Sequence, residues 1–149
     1  MWANYYYNNN ELVKISFKNG IENKEDFNIF LNKWLELYEN KADFTFIFDT
    51  INTSLVNPYY SYLMANFINN LKKRETQYLN YSVIIVKNYA VRILLNIIFG
   101  IQKPVATVFL IDNNDKNKLV ISDILNSISN TELKQILENN RSHFSIINV

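Results

Sequence analysis

Two spacings of apolar residues alternate along this chain of 149 residues. Apolar positions two apart, or in a short run, predict a strand, and positions three and four apart predict a helix. Trp2–Tyr7 is aromatic and suits a strand. Asn8-Asn9-Asn10 has turn chemistry, and Leu12, Val13, Ile15 and Phe17 then nearly alternate with Lys14, Ser16 and Lys18. A hairpin is therefore predicted at the start, ended by Asn19-Gly20. From about Lys24 to Glu39 the period changes. Phe27, Phe30, Leu31, Trp34, Leu35 and Tyr38 share one helical face, Asn23 can cap it, and Glu25 and Asp26 sit where the helix dipole favours acids.

The alternation continues downstream. Phe44–Phe48 predicts an apolar strand closed by Asp49, with a loop from Thr50 to Val56. Asn57-Pro58 reads as a cap followed by proline at the first helical position, with the helix extending to about Glu75. Its expected buried face is Tyr59, Tyr62, Leu63, Phe67 and Leu71. Ser82–Val86 is a continuous apolar run, as in a strand covered on both faces. Tyr89–Phe99 predicts a third helix with Gly100 beyond its end. Val105–Ile111 predicts a fifth strand, and Asp112–Lys118 a polar loop. Leu119–Ile128 and Asn130–Asn139 predict two helices, the second with capping-box spacing between Ser129 and Glu132. Ser145–Val149 is a short apolar tail.

Strands alternating with helices predict a single α/β domain over residues 1–149 with a mostly parallel sheet of four to five strands. An antiparallel hairpin opens it, and the crossovers are expected to be right-handed. The core falls at about residues 12–113, followed by terminal helices at 119–139 and a tail at 141–149.

Composition narrows the chemistry. Hydrophobic residues make up 48 % and aromatics 15 %, enough for a core without disulfides or metal. Net charge is +1, without the basic surplus that phosphate binding requires, so nucleic acid is not an expected partner. The absence of cysteine excludes thiolate nucleophiles and cysteine zinc sites. Two glycines cannot build a dinucleotide loop, and no Walker-type loop occurs. The lone His143, in the polar run Arg141-Ser142-His143, reads as a surface residue rather than part of a triad. No cofactor, catalytic residue or metal ligand is assigned. The N-terminus lacks a basic segment followed by an apolar run, so no signal peptide is expected. Tyr89–Ile101 is too short to span a bilayer, and a cytoplasmic location is expected. Abundant Asn, Ile, Lys and Tyr suggest an A/T-rich genome, such as that of a large DNA virus or a low-GC microbe.

Three groups of residues could carry function. Asp49, Lys87 and Asp112 each stand at a predicted strand's carboxyl end, where parallel sheets bind ligands, and could hold magnesium or phosphate. Tyr59 and Tyr60 are adjacent, so one helix cannot bury both equally, and exposed tyrosine suits an interface. The third helix is apolar around Val91, Leu94, Leu95 and Ile98. Ile93, Ile97 and Ile101 widen that stripe into either a doubly buried helix, covered by the terminal helices, or a docking face for a partner or membrane.

The stretch from Leu12 to Asn113 resembles the STAS-like family. That family includes anti-sigma-factor antagonists of the SpoIIAA type and the cytoplasmic domains of sulfate transporters. The antiparallel opening, Phe44-Thr45-Phe46-Ile47-Phe48-Asp49-Thr50, a short loop and a helix from Asn57 carry the resemblance. In the family an Asp-Ser pair opens that helix, and its serine is phosphorylated; here Asn57-Pro58 stands there, so the resemblance implies a domain without the switch. It further implies a non-catalytic, protein-binding module whose partner surface includes Ser54, Asn57, Pro58, Tyr59 and Tyr60. A lipid- or membrane-associated module of SpoIIAA-like fold is the alternative, and an enzyme at the strand ends ranks last. Self-association fits any of these.

Overall fold

A computed structural model describes residues 1–9, 11–54, 56–87 and 89–149. The predicted turn residue Asn10 lies outside the described residues. β1 (Ala3–Asn8) and β2 (Leu12–Asn19) pair antiparallel, with Ala3 opposite Phe17 and Tyr5 opposite Ile15. α1 (Lys24–Glu39) follows, and the Asn23 side chain accepts from the Asp26 N–H, satisfying one of the donors a helix start leaves free.

β3 (Phe44–Thr53) is longer than predicted. Thr50 to Thr53 continue the strand because Lys18 and Asn19 of β2 still pair with Asn52 and Thr53. α2 spans Tyr59–Leu71 and stops short of Glu75. Asn57 Oδ1 accepts from the Tyr59 N–H at 2.9 Å, and the Gln77 side chain donates to the Leu71 carbonyl at 2.6 Å, so both helix ends are capped by side chains. β4 (Leu79–Val86), α3 (Tyr89–Ile101) and β5 (Val108–Asp112) complete the parallel set. Gly100 falls inside α3 rather than beyond it.

The chain then adds α4 (Lys118–Asn126) and α5 (Asn130–Asn139), the latter capped by Ser129, which accepts from the Glu132 N–H. The tail returns as β6 (Ser145–Ile147), antiparallel to β5. The sheet therefore has six strands rather than four or five, in the order β1-β2-β3-β4-β5-β6. β2 to β5 are mutually parallel, with an antiparallel strand at each edge.

This order dictates the layers. Parallel crossovers are almost always right-handed, so when the strand order never reverses, successive helices land on one face. α1, α2 and α3 do so. Phe27, Phe30 and Trp34 of α1, Phe67 and Leu71 of α2, and Val91 of α3 share a core with Val13, Ile15, Phe46, Phe48 and Ile84. α4 and α5 cover the opposite face, where Val120, Ile121, Ile124, Leu133 and Leu137 meet Leu12, Ile47, Val83, Ile85 and Ile111. The two cores follow strand alternation: Phe46 and Phe48 point one way, Ile47 the other.

Candidate ligand-binding site

The first face is built mainly from rings. Trp34 meets Phe46 at 4.8 Å and Phe67 at 5.2 Å, both edge to face, and Trp2 meets Phe17 at 4.8 Å. Rings in such arrangements hold one another at fixed angles. α3 sits over the neighbouring part of this face, yet Val91 is its one fully buried residue. Leu94, Leu95, Ile98 and Phe99 are half-buried. Arg92 ties the helix to the end of β5 through a 2.6 Å ion pair with Asp112.

Between this helix, α2, α1 and the sheet lies a cavity of ≈ 170 Å³. It runs from Thr50, Thr53 and Val56, at the carboxyl end of β3, to Pro104–Val108, at the amino end of β5. α1 contributes Phe27, Phe30 and Trp34; α2 contributes Tyr60, Ser61, Met64 and Ile68; α3 contributes Val91, Leu94, Leu95, Ile98 and Phe99. Small side chains open the space on two walls: Ser61 in the first turn of α2 and Ser82 on β4.

Among the described residues the lining holds no Lys, Arg, His, Asp or Glu. Its polar groups are hydroxyls and indole N–H groups. Thr50 Oγ1 donates to the Ile85 carbonyl at 2.6 Å and Thr53 Oγ1 to the Asn19 carbonyl at 3.1 Å. Ser61 and Ser82 are each 3 % exposed. The indole Nε1 atoms of Trp2 and Trp34 are buried without a partner among the described residues. Nearby, the Tyr5 hydroxyl donates to the Phe30 carbonyl at 2.6 Å, and burial raises its pKa far above the usual range, so it stays protonated.

The polar residues singled out at the strand ends each hold a partner of their own. Asp49 is buried on the α4/α5 side of β3, where its carboxylate accepts from the Ile51 N–H at 3.0 Å. Lys87 Nζ donates to the Thr53 carbonyl at 2.8 Å, and Asp112 holds Arg92. Each is occupied by a different partner. The physical reason is topological, because a ligand crevice opens beyond strand ends where the strand order reverses, and this order does not. Among the described residues no group of three or more His, Cys, Asp or Glu could hold a metal ion. His143 Nδ1 lies 2.6 Å from Asn117 Oδ1. The Asn117 Nδ2 donates to the Asp112 carbonyl, so its Oδ1 must accept and His143 Nδ1 must carry the proton. This histidine pins the C-terminal tail to the loop after β5.

On α2 the tyrosines separate. Tyr60 packs its ring 5.1 Å from Phe27 and lines the cavity, whereas Tyr59 is exposed. Tyr62, expected in the core, is 59 % exposed; Ser61, Ala65 and Ile68 are buried instead, because small side chains let the helix approach the sheet. Ser54, Asn57 and Pro58 are exposed beside Tyr59, and Leu55 lies outside the described residues. On α3, Ile93 and Ile101 are exposed and Ile97 is half-buried. The terminal helices do not cover this helix, since they pack on the other face of the sheet.

No protein-family model, curated protein or solved structure matches the chain. Among the described residues no helix is long and apolar enough to cross a membrane. The cavity is what sequence reasoning missed. Its signals were the over-wide apolar stripe of α3 and two serines, Ser61 and Ser82, set within otherwise apolar faces.

Proposed function

We propose that this chain is a non-catalytic binding module that takes an apolar small molecule into the cavity beneath α2 and α3. One observation carries the reading: a space of ≈ 170 Å³ walled by apolar side chains, inside a layer that close packing would otherwise fill. Such cavities bind apolar molecules, and an engineered one of about 150 Å³ takes up benzene. α3 is the movable wall, because most of its inner face is only half-buried and so contributes least to holding the fold.

The test uses the protein's own fluorophores. Its two tryptophans, Trp2 and Trp34, both line the cavity. Toluene should change their emission and raise the melting temperature. Ser82→Leu, which fills the space from the β4 wall, should abolish both responses. Toluene leaving emission and melting temperature of the wild type untouched would rule the reading out.

The STAS-like, protein-binding reading has its own support. A sheet built of successive βα units fits that resemblance, and Ser54, Asn57, Pro58 and Tyr59 form an exposed surface at the start of α2. Tyr59→Ala should weaken self-association or partner capture by about tenfold, if that surface is an interface hot spot, without altering the melting temperature. Tyr60→Ala should instead destabilise the fold, because that ring packs inward. The membrane-associated alternative rests on the exposed Ile93 and Ile101, and flotation with liposomes before and after Ile93→Asp tests it.

A further inference from the structure

We infer that the cavity selects an uncharged ligand bearing a hydroxyl or carbonyl oxygen, and excludes carboxylates and amines. This rests on the reading that the cavity is a binding site. Among the described residues its lining, drawn from all four parallel strands and three helices, contains no charged side chain of either sign. A buried charge without a partner is disfavoured by several kcal/mol even after the surroundings relax. Lys87 is outside the lining and donates to the Thr53 carbonyl. Arg92 is engaged by Asp112. Neither side chain is part of the lining.

The walls nonetheless are not purely hydrocarbon. Ser61 on α2 and Ser82 on β4 are buried residues whose hydroxyls belong to the lining. Each can donate one hydrogen bond and accept others. The Trp2 Nε1 adds a buried donor that accepts nothing. Native proteins seldom leave such groups unmatched, because each costs stability until something bonds to it. A ligand hydroxyl can accept from either serine or from the indole and can donate to either serine. A plain hydrocarbon would leave the buried indole donor as it is.

The experiment uses three probes of nearly equal size, toluene, benzyl alcohol and benzoate, titrated into the full chain at neutral pH and followed by tryptophan emission. Benzyl alcohol should bind about tenfold tighter than toluene after allowance for its greater solubility in water, one charge-free hydrogen bond's worth. Benzoate should bind at least about a hundredfold more weakly than benzyl alcohol, from the burial of its charge. The Ser61→Ala, Ser82→Ala double variant should lose the preference for benzyl alcohol while keeping its affinity for toluene, which also reports that it is folded. Should it fail to fold, the wild-type comparison with benzoate still decides. Benzoate binding within threefold of benzyl alcohol would overturn the inference and leave the binding site standing, as would equal loss of toluene and benzyl alcohol in a folded variant. Failure of all three probes to bind would remove the binding site itself.

Discussion

The two faces of the sheet are packed from different materials. Under α1, α2 and α3 the core is aromatic, with Phe17, Phe46, Phe48 and Trp34 meeting at centroid distances of 4.8 to 6.1 Å, mostly tilted or edge to face. Under α4 and α5 it is aliphatic: Ile85, Ile111, Ile124 and Leu133 are wholly buried. Branched aliphatic chains interdigitate to crystal-like density. The cavity lies on the side of the rings. One sheet thus carries a face of wholly buried aliphatic residues and a face with room in it. The second holds the space proposed above as a binding site.

The sharpest way to break this comparison is to truncate one side chain on each face. Ile124→Ala should cost about 4 kcal/mol in urea unfolding, since a fully buried residue leaves a new void. Leu95→Ala should cost only about 1 kcal/mol, because that side chain is half-buried and already borders empty space. Equal losses would mean that the aromatic face is as densely packed as the other.

A smaller effect of opposite sign belongs to the aliphatic face. Thr45 is 0 % exposed and its Oγ1 has no partner. Thr45→Val keeps the shape and removes the unmatched hydroxyl, so it should raise stability by about 1 kcal/mol. The smallest effect is on pH dependence. Tyr81 packs on the same face, its hydroxyl is unpartnered, and burial pushes its pKa up to about 12. Between about 10, the value of an unfolded tyrosine, and 12, the unfolded chain releases a proton that the folded chain retains. The unfolded state then binds fewer protons, so stability falls as pH rises through that window. Tyr81→Phe should make the decline shallower in melting curves taken from pH 9 to 12.

The strands and helices were legible because their periods are strong, and α1 and α5 appeared with their caps. Helix faces were less so. Tyr59 and Tyr62 read as core because they are aromatic, but α2 approaches the sheet through Ser61 and Ala65, and size rather than hydropathy decided which side faces inward. β6 was read only as a tail, since three residues carry no period, and its strand character comes from pairing with β5 across two intervening helices. The polar trio at the strand ends was read from chain position alone, without the strand order. Chain position shows that Asp49, Lys87 and Asp112 end strands, but not that the sheet never doubles back to form a crevice between them. The cavity depends on three helices and four strands at once, which no local window contains.

The strand order also sets how this molecule can be assembled in time. From β1 to β5 each strand joins the one made just before it, so each step closes only the short loop of its own βα unit. A chain emerging residue by residue could lay down its sheet in the order of synthesis. By Asp112 it would hold β1 to β5 and α1 to α3, the whole aromatic layer, while Ile47, Val83, Ile85 and Ile111 still lacked their cover. The half of the protein that holds the cavity is therefore finished first. The last 37 residues, from Asn113 to Val149, arrive afterwards to keep the bare back of the sheet from water and from other chains.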